Sequence, residues 1–206
     1  DKVGSGKGTN HPVQGVNWYD CVKWCNARSE KEGLTPVYYA DSDTYTVYRT
    51  GLVVAPYVNS AANGYRLPTV TEWQYAARGG VANGRFPWSD SDTIQHARAN
   101  YFSELFDRAV YDTSATQQWH PDYDTGSMPY TSPVGSFAPT GAGLYDLAGN
   151  VSEWCYDWYP GNENTYRTIS GGSWNGPAET CRIAETGLAS PNGANTSYGF
   201  RTVRNP

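Results

Sequence analysis

Charge is scarce in this chain. Lys, Arg, Asp and Glu make up 17% of its 206 residues, against about a quarter in an ordinary globular domain. The 15 basic residues are outnumbered by 20 acidic ones. The basic face that a nucleic-acid backbone demands is therefore missing, and no nucleic-acid partner is expected. Long apolar runs are missing too: none approaches the ~18 residues of a membrane-spanning helix, so no span is expected. Cysteine numbers 4, too few at this length for a disulfide scaffold. Cys21 and Cys25, four apart, share one helical face and read as small buried hydrophobes. The 3 histidines, His11, His96 and His120, are scattered outside any metal-binding spacing, which argues against zinc chemistry.

What is abundant is aromatic and loop-forming. The 8 Trp and 17 Tyr, set among 22 Gly and 13 Pro, are too aromatic for a disordered chain and too loop-rich for a helical bundle. The length fits one domain. Trp18, Val22 and Cys25 keep the i, i+4, i+7 spacing of a helical face, although Ser29, next in that series, is polar. With Asn17 as N-cap and Gly33 and Pro36 beyond the end, a helix is predicted over residues 18–32. A second is predicted over 70–78. Thr69 and Glu72 form a capping box there, Trp73, Ala76 and Ala77 form the stripe, and Gly79-Gly80 stops it. Residues 37–39 and 45–48 read as short strands, as do runs at 132–137, 168–174 and 198–203. Residues 80–140 have little periodicity, and loops that long are usually functional or tied down.

Several stations then resemble one family. They include Asn63-Gly64-Tyr65-Arg66-Leu67-Pro68-Thr69 with Glu72-Trp73, Ala99-Asn100-Tyr101, and Gly143-Leu144-Tyr145-Asp146-Leu147-Ala148-Gly149-Asn150-Val151-Ser152-Glu153-Trp154. Gly171-Gly172-Ser173-Trp174, Cys181-Arg182 and Gly199-Phe200-Arg201 follow in the same order. From about residue 12 to the end, the chain resembles the formylglycine-generating-enzyme, or sulfatase-modifying-factor, family. The resemblance implies a variant of the C-type-lectin fold: α+β, two main helices, a small twisted sheet and much irregular backbone. It also implies that the family's N-terminal strands lie outside these 206 residues, in a preceding segment or a separate fragment.

Catalytic members of that family hold copper(I) on two cysteines five residues apart, a chemistry suited to soft thiolates. The matching positions here are Gly176 and Cys181. One ligand is absent, so no copper is expected, Cys181 reads as packing, and Ser173, which matches an active-site serine, reads as a backbone cap. The family also binds calcium through one side chain, two carbonyls and a carboxylate. Those positions fall on Asp146, Gly149, Val151 and Glu153, whose hard oxygens suit Ca²⁺; the bland alternative is that Asp146 and Glu153 cap turns.

The stretch 175–197 departs most from the family. Glu185-Thr186 stands where relatives carry Tyr-Arg, and Ala194 where they carry Arg, while Ala178, Cys181-Arg182, Ala184, Pro191 and Asn195 persist. That resembles the variable segment of a retroelement-diversified ligand-binding protein. The candidate binding residues are Asn175, Gly176, Pro177, Glu179, Thr180, Glu185, Thr186, Leu188, Ser190 and Asn192, with a protein as the expected ligand and a surface or secreted setting. They are expected to be exchangeable at little cost in stability, whereas Trp174, Cys181 and Phe200 are expected to be buried. Trp18, Trp24, Trp73, Trp154, Trp158 and Trp174 read as core, and Trp88 and Trp119 as surface aromatics. The alternative is a sulfatase-maturing oxidoreductase, or an accessory domain of an oxygen-dependent enzyme.

Overall fold

A computed structural model describes residues 4–205 apart from Thr44 and Val81. Helix α1 spans Trp18–Lys31, and the Asn17 side chain accepts from the Asp20 amide at 2.9 Å. Trp18, Cys21, Val22 and Cys25 are buried along it. So is Ser29, because its hydroxyl donates to the Cys25 carbonyl (2.8 Å) and accepts from the Tyr65 amide (2.7 Å). The polar break in the helical stripe is thus a joint to the next element. Asn26 works likewise, donating to the carbonyls of Tyr38 (2.7 Å) and Tyr48 (3.0 Å). Buried amides and hydroxyls persist only where such partners exist. Helix α2, Val70–Arg78, has the full capping box, and Gly79 closes it at φ 53°.

Three small sheets follow. β1 (Tyr38–Tyr39) pairs antiparallel with β2 (Tyr57–Val58), and β3 (Tyr65–Arg66) with β8 (Val203–Arg204). The largest runs in the order β6-β5-β4-β7, where β4 is Ser152–Trp158, β5 Arg167–Ser170, β6 Thr186–Ala189 and β7 Tyr198–Gly199. Neighbours are antiparallel except β4 and β7. Residues 45–48 form no strand, only a single bridge from Val47 to Tyr39. Residues 132–137 turn instead of extending. The 168–174 run ends as a strand at Ser170, because Gly171 and Gly172 take φ of 92° and 72°, a region closed to most side chains.

The two central strands of the largest sheet, β4 and β5, are covered on both faces, which is why they show little alternation. Trp154, Ile169 and Ala189 pack with Trp18, Val22, Cys25, Tyr38 and Tyr48. On the other side Cys155 packs with Trp73, Ala77, Leu147 and Ile183. A third cluster, Phe86, Ile94, Ala99, Tyr101, Ala148, Ala178 and Cys181, ties down the aperiodic stretch. Three donors fix the buried Asp112 carboxylate there: Tyr101 hydroxyl (2.6 Å), Ser103 hydroxyl (2.8 Å) and Ser114 amide (3.1 Å).

Two buried histidines staple the same stretch. His120 Nε2 donates to the His96 carbonyl at 2.8 Å, and its Nδ1 accepts from the Asp122 amide at 3.2 Å. Both nitrogens are committed in the neutral form, so a second proton would face an N–H. Burial lowers the pKa of both rings from the ordinary 6.5. The stability they give is complete above pH 6.5 and is lost as pH falls through the lowered folded-state values. Each adds a slope of up to ~1.4 kcal/mol per pH unit. Denaturant titrations between pH 7 and 5 should find that limb, and His120→Gln should flatten it. An unchanged slope in that variant would contradict the assignment.

Candidate functional site

The segment singled out by sequence begins at a tight crossing. A Cβ on Gly172 would meet the Cys181 sulfur at 2.7 Å, so only glycine lets residues 171–174 pass beneath the following turn. Trp174 is buried, donating through Nε1 to the Thr196 carbonyl at 3.2 Å. Asn175 emerges into solvent, and its Oδ1 accepts from Trp119 Nε1 at 3.1 Å. The Gly176 carbonyl accepts from the Phe102 amide at 2.9 Å.

A 3-10 turn, Ala178–Cys181, then leads through an Arg182–Glu185 ion pair into β6. The far side is moored to the front of the molecule. The Pro191 carbonyl accepts from the Trp18 amide (3.1 Å), and that of Asn195 from the Gly15 amide (3.0 Å).

The ten candidate residues divide. Asn175, Leu188, Ser190 and Asn192 are exposed, whereas Pro177, Glu179, Glu185 and Thr186 are half-buried. Gly176 and Thr180 belong to the frame instead of the exchangeable set. The Thr180 hydroxyl donates to the Pro177 carbonyl at 2.7 Å, and a Cβ on Gly176 would meet that hydroxyl at 2.7 Å. Trp174 and Cys181 are buried as expected, but Phe200 is only half-buried, lying edge-on to Trp24 at 5.3 Å. Trp24, read as core, is 45% exposed; the helical stripe faces away from it.

The residues present do not fit a copper(I) site. Burial pushes the Cys181 thiol up to about 12, so the thiolate that copper needs is disfavoured. Position 176 supplies no sulfur, and Thr180 occupies the space its side chain would take. All four cysteines are free and buried, so Cys155 and Cys181 are not bridged.

Calcium is a closer case. Asp146, Gly149 and Asn150 all have positive φ, which curls the 146–150 turn. Asp146 Oδ2 accepts from the Gly135 amide at 2.7 Å, while its Oδ1 is buried without a partner. Burial raises the pKa of this carboxyl, so a cation at Oδ1 would be favoured. Glu153 is differently placed. Its carboxylate accepts from Trp73 Nε1 at 2.6 Å and from Arg201 through Nε at 2.5 Å and Nη2 at 2.7 Å. The same Nη2 reaches the carbonyls of Tyr145 (3.1 Å) and Asp146 (3.2 Å). Asp146 therefore fits a calcium ligand, whereas Glu153 already faces a guanidinium. Sequence reading overlooked Arg201 in this role, although Gly199-Phe200-Arg201 was among the recognisable stations.

An α+β lectin-type scaffold with the formylglycine-generating-enzyme stations defines the class. The chain belongs to the sulfatase-modifying factor enzyme 1-like domain family, whose profile matches residues 2–206. Chaperone protein LppX of Paenibacillus barcinonensis is 36% identical over 205 residues, covering 96% of this chain and 71% of LppX. The formylglycine-generating enzyme of Thermomonospora curvata is 34% identical over 165 residues, covering 69% of this chain and 50% of the enzyme. This chain thus spans about half the length of that enzyme. Among solved structures, Treponema denticola variable protein 1 superposes with a TM-score of 0.73 at 27% identity, covering 100% of this chain and 75% of that one. CarF gives 0.71 at 31% identity, covering 96% and 69%. No helix among the described residues is long and apolar enough to cross a membrane.

Proposed function

We propose that this protein is a non-catalytic binding module that presents residues 175–197 to another polypeptide. The observation that carries the reading is the division of labour inside that segment. Ala178, Cys181, Ile183, Ala189, Pro191 and Ser197 are buried, while the positions between them are open to solvent to differing degrees. Anchors so spaced hold the backbone still and leave the intervening side chains free to change, which suits recognition by loops on a rigid scaffold. Two relatives support it. One is named a chaperone, a kind of protein whose partners are polypeptides, and the other a variable protein. Diversification by a retroelement is the finer part of the proposal, and sequencing the same locus in sibling isolates tests it.

The direct test randomises Asn175, Leu188, Ser190 and Asn192 together and selects for partners. Substitutions at such sites cost within ~0.5 kcal/mol each, so partner selectivity should change while the melting temperature holds. Intolerance equal to that of Trp174 would sink the reading. The rival, an oxidase of the same family, predicts stoichiometric copper(I) uptake and oxygen consumption on a cysteine-containing peptide; neither is expected.

A further inference from the structure

Among these residues, β6 is one of the two edge strands of the largest sheet, and the longer of them. It pairs with β5 in unbroken antiparallel register, Thr186 opposite Ser170 through to Ala189 opposite Arg167. An antiparallel ladder engages alternate residues, so two of these four direct their N–H and C=O away from β5. Among the described residues, no backbone hydrogen bond or bridge from another segment reaches that outer edge. Free edges are normally guarded by lysine, proline, a bulge or a covering loop. This one reads Thr-Gly-Leu-Ala, with Gly187 exposed and Leu188 42% exposed. Ala189 points into the core beside α1, so Thr186 and Leu188 share the opposite face.

We infer that β6 is a docking edge that accepts an extended segment of a partner polypeptide as a fifth strand, with Leu188 as its side-chain anchor. The inference rests on the binding reading above and names its chemistry. Main-chain pairing supplies affinity with little regard to sequence, and alternate side chains supply what selectivity there is. A polypeptide not yet folded, with its backbone groups unpaired, offers the matching surface. Two copies of this chain each carry a net charge of −5, which opposes pairing of β6 with itself, so a strand from another polypeptide is the occupant.

The test uses the full chain and a displayed library of twelve-residue peptides. Selected peptides should be rich in β-branched residues, and replacing their alternate amides with N-methyl amides should abolish binding. Bound peptide should slow amide exchange across residues 186–189 by at least tenfold. Leu188→Lys, which places a guarding charge on the edge, should weaken binding at least tenfold with the melting temperature unchanged; Tyr75→Lys, at an exposed position on α2 outside the 175–197 segment, is the control and should not. Failure to select any peptide overturns the inference, as does protection confined to residues 175–180. In the second case the binding reading survives and only the edge is wrong. A dimer that Leu188→Lys dissolves would also overturn it, assigning β6 to a second copy.

Discussion

Arg167→Ala will cost about 3–4 kcal/mol, estimated from two charge-assisted hydrogen bonds and the ring contacts, less the relief of a buried charge. For a chain of this size that lowers the melting temperature by about 6–15 °C. The side chain is 1% exposed and lies between two indoles, its guanidinium carbon 3.8 Å from the Trp18 ring centre and 3.4 Å from that of Trp158. Nη1 donates to the Tyr156 carbonyl at 2.5 Å and Nη2 to that of Val54 at 2.7 Å. Its partners are thus carbonyls and rings, and Nε has no acceptor. Burial pulls the pKa down to about 10, so the group stays charged at neutral pH.

The informative variant is Arg167→Met. A buried charge is often replaceable by an apolar side chain at no loss. If the cation contributes only volume, Met will match the parent in denaturant titration. The expected result is a clear loss, because the carbonyls of Tyr156 and Val54 lose their charged donor and the segment through Val54 comes away from β4. Lysine should fail as well, since it cannot present the planar fork between two rings.

Breaking the Glu153–Arg201 pair comes second. Glu153→Ala leaves a largely enclosed guanidinium and the Trp73 N–H without their acceptor, a loss of roughly 3–5 kcal/mol. Arg201→Ala should cost at least as much, because it strands a carboxylate whose side chain is only 8% exposed, against 24% for the arginine. The double variant should lose less than the sum of the two, with a coupling of about 0.5–3 kcal/mol; strict additivity would mean that the contact contributes nothing. The same melts test whether calcium binds at Asp146, whose carboxylate keeps an unpartnered oxygen while that of Glu153 is held by Arg201. Millimolar Ca²⁺ should raise the melting temperature of the parent, and Asp146→Asn should erase that rise by removing the unpartnered oxygen's charge. No response in the parent would leave Arg201 as the resident cation of this turn.

Local signals carried the helices. Both caps and both stop glycines were legible because capping is decided by side chains within three residues of the end. The recognisable stations likewise carried the family. The strands were less legible. β4 is covered on both faces, so Ser-Glu-Trp-Cys-Tyr-Asp-Trp offers no alternation to read. β6 exists only because β5 lies alongside it, and Thr-Gly-Leu-Ala has no strong preference of its own.

By itself, then, the sequence determined the helix ends and the family, since each depends on neighbours in the chain or on motifs of fixed spacing. Only the tertiary structure decided which members of the 175–197 segment reach solvent and that Gly176 and Thr180 do not vary freely. It alone placed Arg201 opposite Glu153, 48 residues away, and left β6 at an open edge. Those outcomes depend on which atoms the fold brings within about 3 Å across long stretches of chain, a distance no local pattern encodes.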